Sequence, residues 1–122
     1  MNFGGKIVKV MRDLVDMFEA SSSDASTLRE LAAVLGDRSR WVKAHDLFQQ
    51  IRAKTLKAER AQDAGLAAQY LFEEICAKTI YNISQASAPF DPDSPFWVVP
   101  NALVLARYRG IPETEVVACV LA

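Results

Sequence analysis

The chain has 122 residues, a length that fits one domain and leaves little room for two. Its hydrophobic fraction of 51% and charged fraction of 24% are ordinary globular values, which excludes disorder along the whole chain. The net charge of −1 provides no global attraction to nucleic acid or to an anionic membrane. That mean hides a dipolar chain: Arg38 to Arg60 holds seven basic and two acidic residues, and the remainder holds seven basic and thirteen acidic ones.

The first helix is expected from Lys6 to Ala20, where Ile7, Val10, Met11, Leu14, Met17 and Phe18 recur at helical spacing. Gly4-Gly5 before it follows no strand, so it reads as a frayed terminus rather than a phosphate loop. Ser21-Ser22-Ser23 ends the helix. In the second helix Thr27 and Glu30 have capping-box spacing; Leu28, Leu31, Ala32 and Leu35 share a face, and Gly36 is a stop. A long amphipathic helix is expected from Ser39 to Gln62, with Trp41, Ala44, Leu47, Phe48, Ile51, Thr55 and Ala58 on one side.

Asp63-Ala64-Gly65 reads as a turn with no proline to enforce it, which leaves open whether the next helix is separate or continuous. That helix, Ala64 to Ser84, is apolar on most of its circumference and so is expected to be central. From Pro89 to Pro100 four prolines exclude a regular helix. Pro100 then opens a helix over Asn101 to Arg109, Gly110 suits a left-handed closing position followed by apolar Ile111, and Pro112-Glu113 starts a last short helix. No stretch shows strand alternation. The expectation is a single all-α domain over residues 1–122, a compact bundle of about five to six helices. It has two long central helices and a proline- and aromatic-rich connection near residues 86–100.

Little in the chain carries chemistry. His45 is the one histidine and neither Cys76 nor Cys119 has a CxxC neighbour, so no zinc spacing exists. Both thiols sit in apolar sequence, which raises a thiol's pKa rather than activating it. Glu73-Glu74 point about 100° apart on a helix and lack the Glu-x-x-His partners of a carboxylate metal site, so they read as a solvated acidic patch. The expectation is no enzyme, no metal and no cofactor. Lys6, Lys9 and Arg12 interrupt any signal-peptide core, and the longest apolar run, Val116 to Ala122, is too short to span a bilayer. A cytoplasmic protein with no membrane contact is expected.

Two segments stand out as binding candidates. Leu28 to Leu47 resembles a helix-turn-helix DNA-binding motif, with Ala32, Gly36 and Val42 at the small, turn-glycine and β-branched positions. The resemblance implies that Arg38, Ser39, Arg40 and Lys43 begin a recognition helix and contact phosphates or bases. It departs from the pattern at Asp37 and His45, where apolar or buried residues are usual, and its second helix runs long.

The other segment is Pro89 to Pro100, where Phe90, Phe96 and Trp97 stand among prolines with Asp91 and Asp93. Rigid aromatics are favoured interface anchors, and carboxylates beside them select a basic partner. The leading expectation is therefore a small helical module that binds another protein, with nucleic-acid binding as the alternative and a homodimer as a further possibility. Compact acidic inhibitors such as bacterial immunity proteins share this physical type, as do helical adaptors.

Overall fold

The computed structural model describes residues 3–85 and 98–122, and in them six α-helices follow one another with no strand. Helix α1 (Phe3–Glu19) buries Ile7, Val10, Met11, Leu14 and Phe18 as the periodicity requires, and Val8 and Val15 widen the stripe. Gly4 and Gly5 lie inside its first turn rather than in a frayed end. The amphipathic run behind them carries the helix through two poor helix formers. The serines do end it: the backbone N–H groups of Ser21 and Ser22 donate back to Phe18 and Glu19 at 3.2 and 3.3 Å.

Helix α2 (Ser26–Leu35) is not capped by Thr27. Asp24 does that work, accepting from the Ser26 N–H at 3.3 Å and from the Ser26 hydroxyl at 2.7 Å. Thr27 instead shares the face of Leu28 and Leu31 and is buried with them. Gly36 follows the last helical residue, but in a right-handed conformation (φ −79°), so its conformational freedom is not what stops the helix. The break belongs to Asp37, whose extended backbone and side-chain bond to the Ser39 N–H start a 3-10 turn over Arg38–Lys43. The expected helix from Ser39 to Gln62 is thus divided into this turn and α3 (Ala44–Arg60). Trp41, Ala44, Leu47, Ile51, Thr55 and Ala58 are buried on the expected side.

Helices α3 and α4 (Ala64–Gln85) are separate, and they form the most extensive helix pair in the fold. Gln62 turns the chain between them with φ +58°, a left-handed conformation usually given to glycine. The Gln62 N–H donates to Glu59 O and the Asp63 N–H to Ala58 O, both at 3.0 Å, which closes α3 in a Schellman pattern. Asp63 Oδ1 then accepts the Leu66 N–H at 3.1 Å and opens α4. Helix α5 (Val98–Arg109) starts before Pro100 rather than after it, because a first turn has no internal use for the missing N–H. Gly110 closes it as expected, with φ +68° and the Ile111 N–H donating to Ala106 O at 2.9 Å. Helix α6 (Glu113–Leu121) follows Pro112.

With its 22 residues α4 is the longest helix and touches α1, α2, α3 and α5. Its Phe72 meets Phe18 of α1 edge to face, ring centroids 5.1 Å apart, at the middle of the core. Burial of side chains such as these contributes on the order of 2 kcal/mol each. The aromatic residues Phe90, Phe96 and Trp97, with Asp91 and Asp93, lie outside the described residues, as does most of the Pro89–Pro100 connection. No helix of the described residues is long and apolar enough to cross a membrane.

Candidate functional site

Because α4 is apolar on most sides and packed on most sides, the polar residues it carries are buried too. Glu73 is fully buried and Glu74 nearly so, which corrects the expectation of a solvated acidic patch. Glu74 Oε1 accepts from the Thr55 hydroxyl at 2.6 Å, a bond that ties α4 to α3. Glu73 joins a wider network centred on Gln69, one turn earlier. Gln69 Nε2 donates to Glu73 Oε2 at 3.0 Å and to Asp24 O at 2.8 Å. Gln69 Oε1 accepts from the Ser22 hydroxyl at 2.7 Å and from Arg109, which also donates to Ser21 O at 2.8 Å. The connection between α1 and α2 is therefore bonded to the middle of α4 and to the end of α5.

Burial pushes the Glu73 carboxyl up to about 7, against smaller opposing effects of Thr27 and Gln69. The Thr27 hydroxyl and Glu73 Oε1 are both buried without a hydrogen-bond partner. Asp24 moves the other way: the Tyr70 and Ser26 hydroxyls hold its carboxyl well below the usual range. Tyr70 is pushed up by burial and by its bond to Asp24. Most bonds of the network run between its own members. The network fixes three helices and a connection in place, and its Asp24 and Tyr70 line a shallow cavity together with Lys54.

Between α4 and α5 a cleft of about 470 Å³ has a floor of Ala64, Ala67 and Ala68 and walls of Leu71, Val104 and Tyr108. Leu71, Val104 and Tyr108 are 38%, 45% and 55% exposed, three large apolar side chains gathered in one place. The Tyr108 ring rests above Gly65, where an added Cβ would stand 3.8 Å from it. Glu59 and Asp63 line the end of the cleft nearest the α3–α4 turn. A contiguous apolar surface rimmed by polar groups is the usual mark of an interaction site.

Arg38, Ser39, Arg40 and Lys43 are all exposed, and they lie together on the 3-10 turn. Three of them are engaged with that turn itself. Asp37 accepts from the Ser39 hydroxyl at 2.7 Å and pairs with Arg40 at 3.5 Å, and the Arg38 guanidinium sits 5.4 Å from the centroid of Trp41. Val42, placed between two helices by the helix-turn-helix resemblance, is 53% exposed. His45 is exposed and packs at 5.0 Å against the Tyr81 ring.

Cys76 is buried and Cys119 half-buried, both free, and burial raises both thiols. Among the described residues no three His, Cys, Asp or Glu side chains cluster as a metal site would require. No family model matches the chain, no curated protein matches it, and no solved structure matches it.

Sequence reasoning missed the cleft because a helix apolar on most of its circumference gives no sign of which apolar side chains stay exposed. The signal was present in the spacing. Residues 64, 67, 68 and 71 form one stripe of α4, and 101, 104 and 108 form one stripe of α5.

Proposed function

We propose that this chain is a small helical protein-binding module and that the cleft between α4 and α5 receives its partner. The observation that carries this reading is the convergence of exposed Leu71, Val104 and Tyr108 on one open groove with a polar rim. Rigid aromatic and branched side chains offer large contact area at low ordering cost, and tyrosine is frequent among binding hot spots. An inhibitor of the immunity type or an adaptor would need one such surface, and a cytoplasmic setting suits either.

The test is photo-crosslinking in the cells that make the protein, with p-benzoylphenylalanine in place of Tyr108. One adduct with another protein is expected, absent when the probe replaces exposed Glu30 on α2. An adduct of twice the chain's mass would make the partner a second copy. No adduct at position 108, or equal labelling at both positions, overturns the reading.

A second reading rests on the exposure of Arg38, Ser39, Arg40 and Lys43 together on one turn: binding of duplex nucleic acid. It predicts retention on DNA at about 50 mM salt that falls steeply as salt rises, and no retention there removes it.

A further inference from the structure

We infer that the occupant of the α4–α5 cleft is a cationic amphipathic helix of a partner protein, an inference that rests on the reading of the cleft as a binding site. The shape of the groove selects the conformation. Its lining comes from one stripe of α4 and one of α5, so it runs along the two helix axes. From Ala64 to Leu71 it extends about 10 Å, roughly two helical turns. Both walls are helices whose backbone groups are bonded internally, so they offer side chains rather than a free edge to which an extended peptide could add a strand. The small floor residues let a neighbouring backbone approach closely while Leu71, Val104 and Tyr108 flank its apolar side chains. A helix with anchors at i, i+3 or i+4, and i+7 meets such a groove.

The charge selects the partner's sign. Glu59 and Asp63 line one end, and among the described residues no cation lines the groove. The cations nearest in sequence, Arg60, Arg107 and Arg109, are not part of the lining. Among the described residues neither Glu59 nor Asp63 forms an ion pair, in contrast to Asp13, Glu19, Asp24 and Asp37. Lysines or arginines near one end of an incoming helix would complete them, whereas an acidic helix would be repelled.

Two labelled probe peptides of about 18 residues, long enough for five turns, decide the matter. They share one leucine face, and one carries lysines on the polar face and the other glutamates. With the full chain at about 50 mM salt, the leucine–lysine peptide is expected to bind, and more weakly as salt rises. The leucine–glutamate peptide is expected not to bind. The double variant Glu59→Gln, Asp63→Asn retains the side-chain oxygen that caps α4 and should weaken binding about tenfold. Val104→Asp should abolish it. Glu113→Gln with Glu115→Gln removes the same charge from α6, outside the groove, and should leave binding unchanged; circular dichroism confirms the fold of each variant.

Equal binding of both peptides, or equal weakening by the two double variants, overturns the cationic partner while a crosslink at position 108 still stands. Indifference to Val104→Asp overturns the groove as the peptide's site. Loss of the crosslink itself is the separate failure of the binding-module reading.

Discussion

The Tyr70 hydroxyl donates to Asp24 Oδ2 at 2.5 Å, so a phenol in α4 holds the connection between α1 and α2. The same carboxylate accepts from Ser26 at the start of α2 and lies 3.4 Å from Lys54 of α3. Tyr70→Phe removes the first of these bonds and keeps the ring. A hydrogen bond to a partly exposed charged group contributes about 1–2 kcal/mol, and that loss is expected in urea unfolding at pH 7. Because the folded Asp24 carboxyl is held below its usual 3.8, its contribution is fully present above that pH and declines as pH falls further. A variant as stable as the parent would show that water replaces the phenol without cost.

Glu73 imposes the opposite pH dependence. Its folded pKa is about 7 against an ordinary 4.5, so the folded state favours the protonated acid. Stability is fully present below 4.5, falls as pH rises from there to about 7, and is level above. The shift corresponds to a loss on the order of 3 kcal/mol. Glu73→Gln keeps an acceptor for Gln69 and removes the charge, so it should raise stability at pH 8 by about 1–3 kcal/mol and flatten this slope. Chemical denaturation at pH 5, 6, 7 and 8 checks it. An unchanged slope in the variant would move the titration to another group.

How far this arrangement was legible depends on what each signal measures. Gly110 followed by Ile111 is a local pattern with one steric solution, and the helix ends where the pattern says. The apolar stripe of α3 is equally local, and its buried residues are those named from the spacing. The start of α3 was misread because Asp37 competes for the backbone of Ser39, and a short side-chain bond of this kind leaves no trace in hydrophobic periodicity. Thr27 looked like a cap, but tertiary packing turned it inward and left the role to Asp24.

The buried carboxylates were hidden for a related reason. Charge suggests solvent, yet α4 is packed on most of its sides and Glu73 lies on one of them. The partner of Glu74 is Thr55, 19 positions away, and Glu73 bonds to Gln69, whose own partners Ser22 and Arg109 lie 47 and 40 positions from it; only the folded chain brings these groups together.

Gln62 holds its left-handed conformation (φ +58°) only because the Schellman bonds on either side require it. A side chain there costs about 1 kcal/mol relative to glycine. Gln62 is exposed, so Gln62→Gly loses little packing and should raise the thermal midpoint by a few degrees, the shift about 1 kcal/mol produces in a domain of this size. A lower midpoint would mean that the greater freedom of glycine in the unfolded chain outweighs the relieved strain.

Three residues later the same argument reverses. Gly65 occupies the first turn of α4, where alanine is the better helix former, and its φ lies outside the left-handed region. A Cβ at this position would meet Tyr108 Cβ and Cδ1 at 3.8 Å and Asp63 Oδ1 at 3.9 Å, ordinary contact distances that ask nothing to move. Gly65→Ala should therefore stabilise the chain by about 0.5–1 kcal/mol and give the Tyr108 ring a firmer seat at the wall of the cleft. Thermal unfolding measures the first effect. Slower hydrogen exchange at the N-terminal turn of α4 measures the second. Destabilisation would show that the Tyr108 ring needs the space glycine leaves, and that the cleft is shaped by that space.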